Sequence, residues 1–214
     1  MYIRNGPMKA LFITFEGIDG SGKTTQAERL AAYVSSQGRE VVLTREPGGT
    51  EVSEKIRTIL LDRANHHMAS LTEMFLYMAS RAQLTEKVIR PALDEGKVVI
   101  SDRYMDATLA YQGYGRGLDK EAIRKLNAVA TSQLKPEVTI LIDLAPEVCR
   151  GRMSAMQKIG DRLEVVGADF QRRVREGYLE IAKQETDRFC VVDGTQSIDE
   201  LEQVVQEIVH PLLR

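Results

Sequence analysis

A chain of 214 residues falls within the span of one α/β layer structure, and 43% apolar with 28% charged residues supplies a full core and excludes a disordered polypeptide. Its 29 Lys and Arg against 31 Asp and Glu leave a net charge of −2, which excludes a nucleic-acid binder built on a general basic surface. Apolar runs such as Leu11–Phe15 are far shorter than the ~20 residues of a membrane span, no signal-peptide core follows the start, and Cys149 and Cys190 lack CxxC spacing, so a cytoplasmic protein with reduced thiols is expected.

After a flexible leader over residues 1–8, short β-rich runs alternate with amphipathic helical stretches. The strands are predicted at Leu11–Glu16, Val41–Thr44, Val98–Ser101, Val138–Leu144 and Phe189–Val192. Helices are predicted at Lys23–Gln37, Val52–Leu61, Ser70–Glu95, Lys120–Thr131, Pro146–Lys158, Asp169–Glu185 and Ile198–Leu213, with Gly38 and Gly96 where helices should stop. The strands are rich in Val and Ile and apolar on both faces, as parallel strands covered by helices on each side must be. The expected fold is therefore α/β, a three-layer α/β/α structure on a five-stranded parallel sheet. No linker divides residues 1–214, so one domain is expected, with ligands at the carboxyl ends of its strands.

The strongest chemical signal is Gly17-Ile18-Asp19-Gly20-Ser21-Gly22-Lys23-Thr24, a complete G-x-x-x-x-G-K-[ST] match between a strand and a helix. Its glycines let backbone N–H groups wrap a phosphate that a Cβ would keep away. Lys23 is placed to reach β- and γ-phosphate oxygens, the Thr24 hydroxyl to ligate Mg²⁺, and the helix opening at Lys23 to add the positive end of its dipole. This loop binds a nucleoside triphosphate.

Three kinds of protein carry such a loop. A GTPase needs an N-K-x-D element, which is absent; a motor ATPase needs a longer chain and a second motif set; a small-molecule kinase needs an acceptor pocket and a basic lid. On the predicted helix Ser70–Glu95, Arg81 falls within a stripe of Met74, Met78, Thr85, Val88 and Ala92. A guanidinium there requires either an internal carboxylate or a ligand. Asp102 and Arg103 come directly off a strand end, where a carboxylate can serve a metal's water shell and an arginine a phosphate. Thr108, Tyr111 and Gln112 share one helical face suited to reading a base edge, and Gly113, Gly115 and Gly117 then suggest a flexible turn. Arg150, Arg152, Lys158 and Arg162 form a basic cluster, broken near Gly160-Asp161-Arg162, that suits a lid over about residues 150–164.

Together these stretches resemble the bacterial branch of the thymidylate kinase family over nearly the whole chain. The resemblance is carried by Phe15 to Thr25, Thr44-Arg45-Glu46-Pro47-Gly48-Gly49-Thr50, Asp102-Arg103-Tyr104, Leu109-Ala110-Tyr111-Gln112-Gly113 and Asp161-Arg162-Leu163-Glu164. It implies transfer of the γ-phosphoryl group of Mg-ATP to dTMP. It further implies that Asp19 accepts from the sugar 3′-hydroxyl, that Arg57 and Arg103 hold the acceptor phosphate, and that Arg81 and Gln112 bond the thymine ring. Thr108 would lie nearby and Phe75 would stack on the ring; Glu46 would shape the acceptor loop and Asp102 the metal's surroundings. Gly20 stands where another branch carries a P-loop arginine, so Arg152 and Arg162 are expected to supply the transition-state charge, with Lys158 third. Ala107 departs from a serine common in relatives. A homodimer packed through helices is also implied.

Overall fold

The structure, a computed structural model, describes residues 9–155 and 167–213. The expected leader, and Lys158 and Arg162 of the expected lid, lie outside the described residues.

Five strands, β1 (Leu11–Glu16), β2 (Val41–Arg45), β3 (Val98–Asp102), β4 (Val138–Asp143) and β5 (Phe189–Asp193), form one parallel sheet in the order β2-β3-β1-β4-β5. The strands fall within one residue of their predicted ends. Every residue of β1 is buried, because the central strand of a covered parallel sheet has no solvent face. Its period-two alternation divides the core. Leu11, Ile13 and Phe15 pack with Leu30 and Val34 of α1 (Lys23–Ser36) and with Leu201 and Val205 of α9 (Ile198–Val209). Phe12 faces the opposite side, with Leu84, Ile89 and Tyr104. Among the described residues no helix is long and apolar enough to cross a membrane.

The parallel register aligns the strand ends that build the site. Phe15 pairs with Asp102, and Arg45 pairs with Asp102 from the other side. The chain segments following β1, β2 and β3 therefore emerge side by side.

The single helix expected over Ser70–Glu95 is three pieces: α3 (Ser70–Leu84), a π turn (Thr85–Ile89) and α4 (Arg90–Asp94). Pro91 has no N–H for the preceding turn and its ring crowds the carbonyl four residues back, so a widened turn relieves the conflict. The other helices are α2 (Glu51–Leu61), capped by the Thr50 side chain, and α5 (Met105–Thr108). They continue with α6 (Lys120–Ala130), capped by Asp119, then α7 (Pro146–Ala155) and α8 (Ala168–Gln184).

Of the three glycines expected to make a flexible turn, only Gly117 (φ 78°) lies in a loop. Gly113 and Gly115 lie buried in a π segment, Leu109–Gly115, that continues α5. A Cβ on Gly115 would stand 2.6 Å from the Phe170 ring of α8. The glycine is there for close helix packing, which sequence spacing does not distinguish from a loop.

Candidate active site

The loop between β1 and α1 has the shape its motif requires. Gly17, Gly20 and Gly22 have φ of 139°, 84° and 105°, a region closed to most side chains. A Cβ at Gly17 would lie 2.6 Å from the Ile142 carbonyl, and one at Gly20 would lie 2.8 Å from the Cys149 carbonyl. Gly22 precedes α1 with no side-chain cap, so the first N–H groups of that helix remain available to an anion. Gly20 also answers why no arginine stands in this loop: the position is pressed against α7, the helix that carries Arg152.

A cleft of about 740 Å³ opens over this loop, lined among others by Lys23, Thr24, Thr25, Asp102, Arg103 and Arg152. Lys23 is buried and its Nζ donates to the Ile18 carbonyl at 2.9 Å. Burial, reinforced by the charge of Arg103, lowers its pKa, while Asp19, Asp102 and Glu16 oppose the shift. Arg152 donates to the Gly194 carbonyl at 3.0 Å, which anchors it at the cleft wall.

Thr24 Oγ1 donates to Asp102 Oδ2 at 2.5 Å. The other carboxylate oxygen, Oδ1, is buried with no hydrogen-bond partner. A hydroxyl and an unpartnered carboxylate oxygen beside a phosphate cradle fit a hard cation that keeps most of its ligands as water and phosphate. Among the described residues no group of three or more acidic, His or Cys side chains forms a closed protein cage for a metal.

Arg103 is the hub. Its φ is 73°, a strained conformation for a long side chain, held by Arg103 N donating to the Phe15 carbonyl at 2.9 Å and by Ser101 Oγ donating to the Arg103 carbonyl at 2.7 Å. The resulting turn swings the guanidinium back under the P-loop. Nη1 donates to the Gly17 carbonyl and Tyr178 Oη at 2.9 and 3.0 Å; Nη2 donates to Asp19 Oδ1 at 2.5 Å and Tyr111 Oη at 3.0 Å. Tyr111 Oη in turn donates to Asp19 Oδ2 at 2.9 Å. Burial would raise the Asp19 carboxyl, but Arg103 and Lys23 outweigh it and hold it down at about 2.

A second cavity adjoins the first. Thr108, Tyr111, Gln112, Ala107, Pro47 and Tyr77 line it, and Asp19, Glu46, Arg57 and Arg103 line both cavities. Arg57 is fixed by donating to the Pro47 carbonyl at 2.8 Å. The face Thr108-Tyr111-Gln112 expected from helical spacing does converge, although its backbone passes from α5 into the π segment after Thr108.

Two of the expected substrate contacts, Arg81 and Phe75, do not line either cavity in this structure. Arg81 is 1% exposed and has the internal carboxylate. Its Nε and Nη2 donate to Glu46 Oε2 at 2.8 and 2.5 Å, Nη2 also to the Tyr104 carbonyl, and Nη1 to Thr108 Oγ1 and Asn127 Oδ1. All five N–H groups of the guanidinium are thus directed into the protein, as burial of a cation demands. Any contact with a base would have to replace one of these bonds. Arg81 here positions Glu46 and Thr108 from behind the cavity wall. Phe75 is half-exposed and lies off the cavity; Tyr77, two residues on, is the ring that lines it. A shift of two positions turns a helical side chain by ~200°, which carries Phe75 to the far face of α3.

Glu16, Glu73 and Tyr178 escaped the sequence reading. Glu16 ends β1 fully buried. It accepts from Tyr104 N at 2.8 Å and from Tyr178 Oη at 2.7 Å, so it braces the turn holding Arg103. An acid closing the otherwise apolar run Leu11–Phe15 was the available signal. Burial, with the nearby Asp106 charge, pushes its pKa up to about 8 against the pull of Arg103. The folded protein thus holds a proton that the unfolded chain releases above about pH 4.5, so this group costs stability as pH rises between those values. Glu16→Gln cannot titrate. Its stability relative to wild type should increase steadily from about pH 5 to about pH 8 in urea melts; parallel pH profiles would remove Glu16 as the titrating group.

The comparisons with known proteins agree with this geometry. The family model for thymidylate kinase matches residues 15–208. The chain belongs to the thymidylate kinase family. A thymidylate kinase of Thermoanaerobacter sp. (strain X514) is 46% identical over 206 residues, covering 96% of this chain and all of the relative. One from Geotalea daltonii is 49% identical over 197 residues, covering 88% of this chain and 91% of the relative. The crystal structure of thymidylate kinase from Ehrlichia chaffeensis superposes with a TM-score of 0.76 at 38% identity, covering 94% of this chain and 98% of that one. The fold and the phosphate-binding loop are thus those of a thymidylate kinase.

Proposed function

We infer that the chain phosphorylates dTMP to dTDP with ATP as phosphoryl donor, and that the junction of the two cavities is where the phosphates meet. The observation that carries this is the sharing of Asp19, Glu46, Arg57 and Arg103 between a P-loop cleft and a pocket lined by Thr108, Tyr111 and Gln112. Lys23 and the N–H groups of residues 17–25 hold the triphosphate. Arg57 and Arg103 draw in the acceptor phosphate, Asp19 accepts from the sugar hydroxyl, and Gln112 and Thr108 meet the base beside Tyr77. A magnesium ion bound by Thr24, with its water shell on Asp102, would neutralise phosphate charge. The acceptor is already an anion, so no strong general base is required; the site must position two anions and screen their repulsion. Arg152 at the cleft wall, with Arg162 assigned from sequence, supplies positive charge to the transition state.

An ADP-release assay comparing dTMP, dUMP, dCMP, dGMP, AMP and thymidine tests this reading. Fastest turnover with dTMP is expected. A preference for another acceptor would discard the substrate, and ATP hydrolysis indifferent to every acceptor would discard the kinase in favour of a nucleotide-dependent switch.

The active protein is a homodimer in this reading, packed through α2 and α3. Val52, Ile59, Leu71 and Phe75 are all about half-exposed on these two neighbouring helices, an apolar patch that a partner would cover. Phe75→Glu should yield monomers by light scattering; an unaltered dimer would place the interface elsewhere. A cytoplasmic setting fits Cys149 and Cys190, which are both free.

A further inference from the structure

Glu73 lies behind the pocket wall, fully buried at the start of α3. Gln112 Nε2 donates to its Oε1 at 2.8 Å. Arg116 closes the other side, with Nε 3.3 Å from Oε1 and Nη2 3.1 Å from Oε2, while its guanidinium stacks on the Phe170 ring at 4.9 Å. A carboxylate paired with arginine has only acceptors to offer, so the amide beside it has one permitted orientation. The NH₂ end must face Glu73, and the opposite flip would set the amide oxygen against a buried anion.

Gln112 lines the pocket whereas Glu73 does not. The pocket therefore sees an amide whose acceptor and donor ends are fixed in order. Thymine and uracil present an N3–H donor beside a C4 carbonyl; cytosine presents an N3 acceptor beside an amino group. One amide orientation pairs with the first pattern and the flipped orientation with the second.

We propose that Glu73 is the specificity-determining positioning residue of the pocket: by fixing the flip of the Gln112 amide, it selects 4-oxo pyrimidine acceptors over cytosine. This rests on Gln112 reading the base, as inferred above. Arg116 completes the device by holding the Glu73 carboxylate in place from its other side.

The test is the ratio of kcat/KM for dTMP to that for dCMP. Glutamine at position 73 can face Gln112 with either end, so Glu73→Gln is expected to lower the ratio by ~10- to 100-fold. The ratio of dTMP to dUMP, whose base edges match, stays unchanged. Glu73→Asp, still acceptor-only, keeps the wild-type dTMP to dCMP ratio even where its turnover drops. Arg116→Leu removes the guanidinium bonded to both Glu73 oxygens and so loosens the carboxylate that holds the Gln112 amide. That variant shifts the ratio in the same direction, and decides the matter if Glu73→Gln does not fold. Equal losses for dTMP and dCMP in the folded variants would overturn the proposal and leave Gln112 as the base reader. A Gln112→Leu variant with an unaltered ratio would overturn both.

Discussion

Replacing Lys23 with methionine is expected to lower kcat by ~10³-fold or more while the protein stays folded. The apolar stem of methionine fills the same space. Among the described residues the bond lost is the one from Nζ to the Ile18 carbonyl, so the expected cost in stability is about 1 kcal/mol. The catalytic loss is much larger because nothing else in the loop replaces the charge. Gly20, Ser21 and Gly22 offer only backbone dipoles and a hydroxyl, and Arg152 approaches from α7 on the other wall. Burial already works against the Lys23 charge, so a bound triphosphate meets a cation poor in alternative partners. Steady-state kinetics with saturating dTMP, alongside a thermal melt, checks both halves. A variant within tenfold of wild type would show that the P-loop lysine is dispensable here.

Arg103→Ala is expected to lower kcat/KM for dTMP by ~10²- to 10⁴-fold, with KM rising as well as kcat falling. Arg103 connects three things: the P-loop through the Gly17 carbonyl and Asp19, α8 through Tyr178, and the acceptor pocket through Tyr111. Removing it leaves the Asp19 carboxylate with the Tyr111 hydroxyl and the more distant charge of Lys23, at a stability cost of about 2 kcal/mol. Two opposing terms meet at this residue. Alanine at this left-handed position is strained like arginine, so the substitution recovers none of the backbone cost. Arg103→Lys should recover less than tenfold of the activity, because an ammonium cannot reproduce a planar fork aimed at four acceptors. Full rescue by lysine would mean that only the charge matters. An alanine variant with unchanged KM would remove Arg103 from the acceptor phosphate.

The two predictions separate the two halves of the site. Lys23 lines only the P-loop cleft, while Arg103 lines both cavities. Its loss should therefore impair binding of the acceptor as well as the chemical step, whereas loss of Lys23 should leave acceptor affinity near wild type. Glu16, one residue before the P-loop, supports both from beneath by accepting from Tyr104 N and Tyr178.

Sequence by itself determined the sheet, the phosphate cradle and the candidates at the strand ends. Apolar strands need helices on both faces, and the glycines of residues 17–22 need φ angles that other residues avoid; both constraints are local and therefore legible. Asp102 and Arg103 were found for the same reason, since they sit at the end of β3. The tertiary structure alone decided which polar side chains face a cavity and which face each other. Arg81 and Glu46, thirty-five residues apart, are joined in the core, and a stripe on a helix cannot reveal whether its arginine finds a carboxylate or a ligand. Phe75 and Tyr77 are both aromatic on the same helix, and only the packing of α3 against α2 decides that the second reaches the pocket. Gly115 reads as a turn until Phe170 is placed against it. The widened turns at Thr85–Ile89 and Leu109–Gly115 shift the helical phase, although Thr108, Tyr111 and Gln112 still line one pocket as their spacing suggested. Periodicity is set by the chain and can be read along it; pairing is set by which elements meet, and that is decided only when the chain has folded.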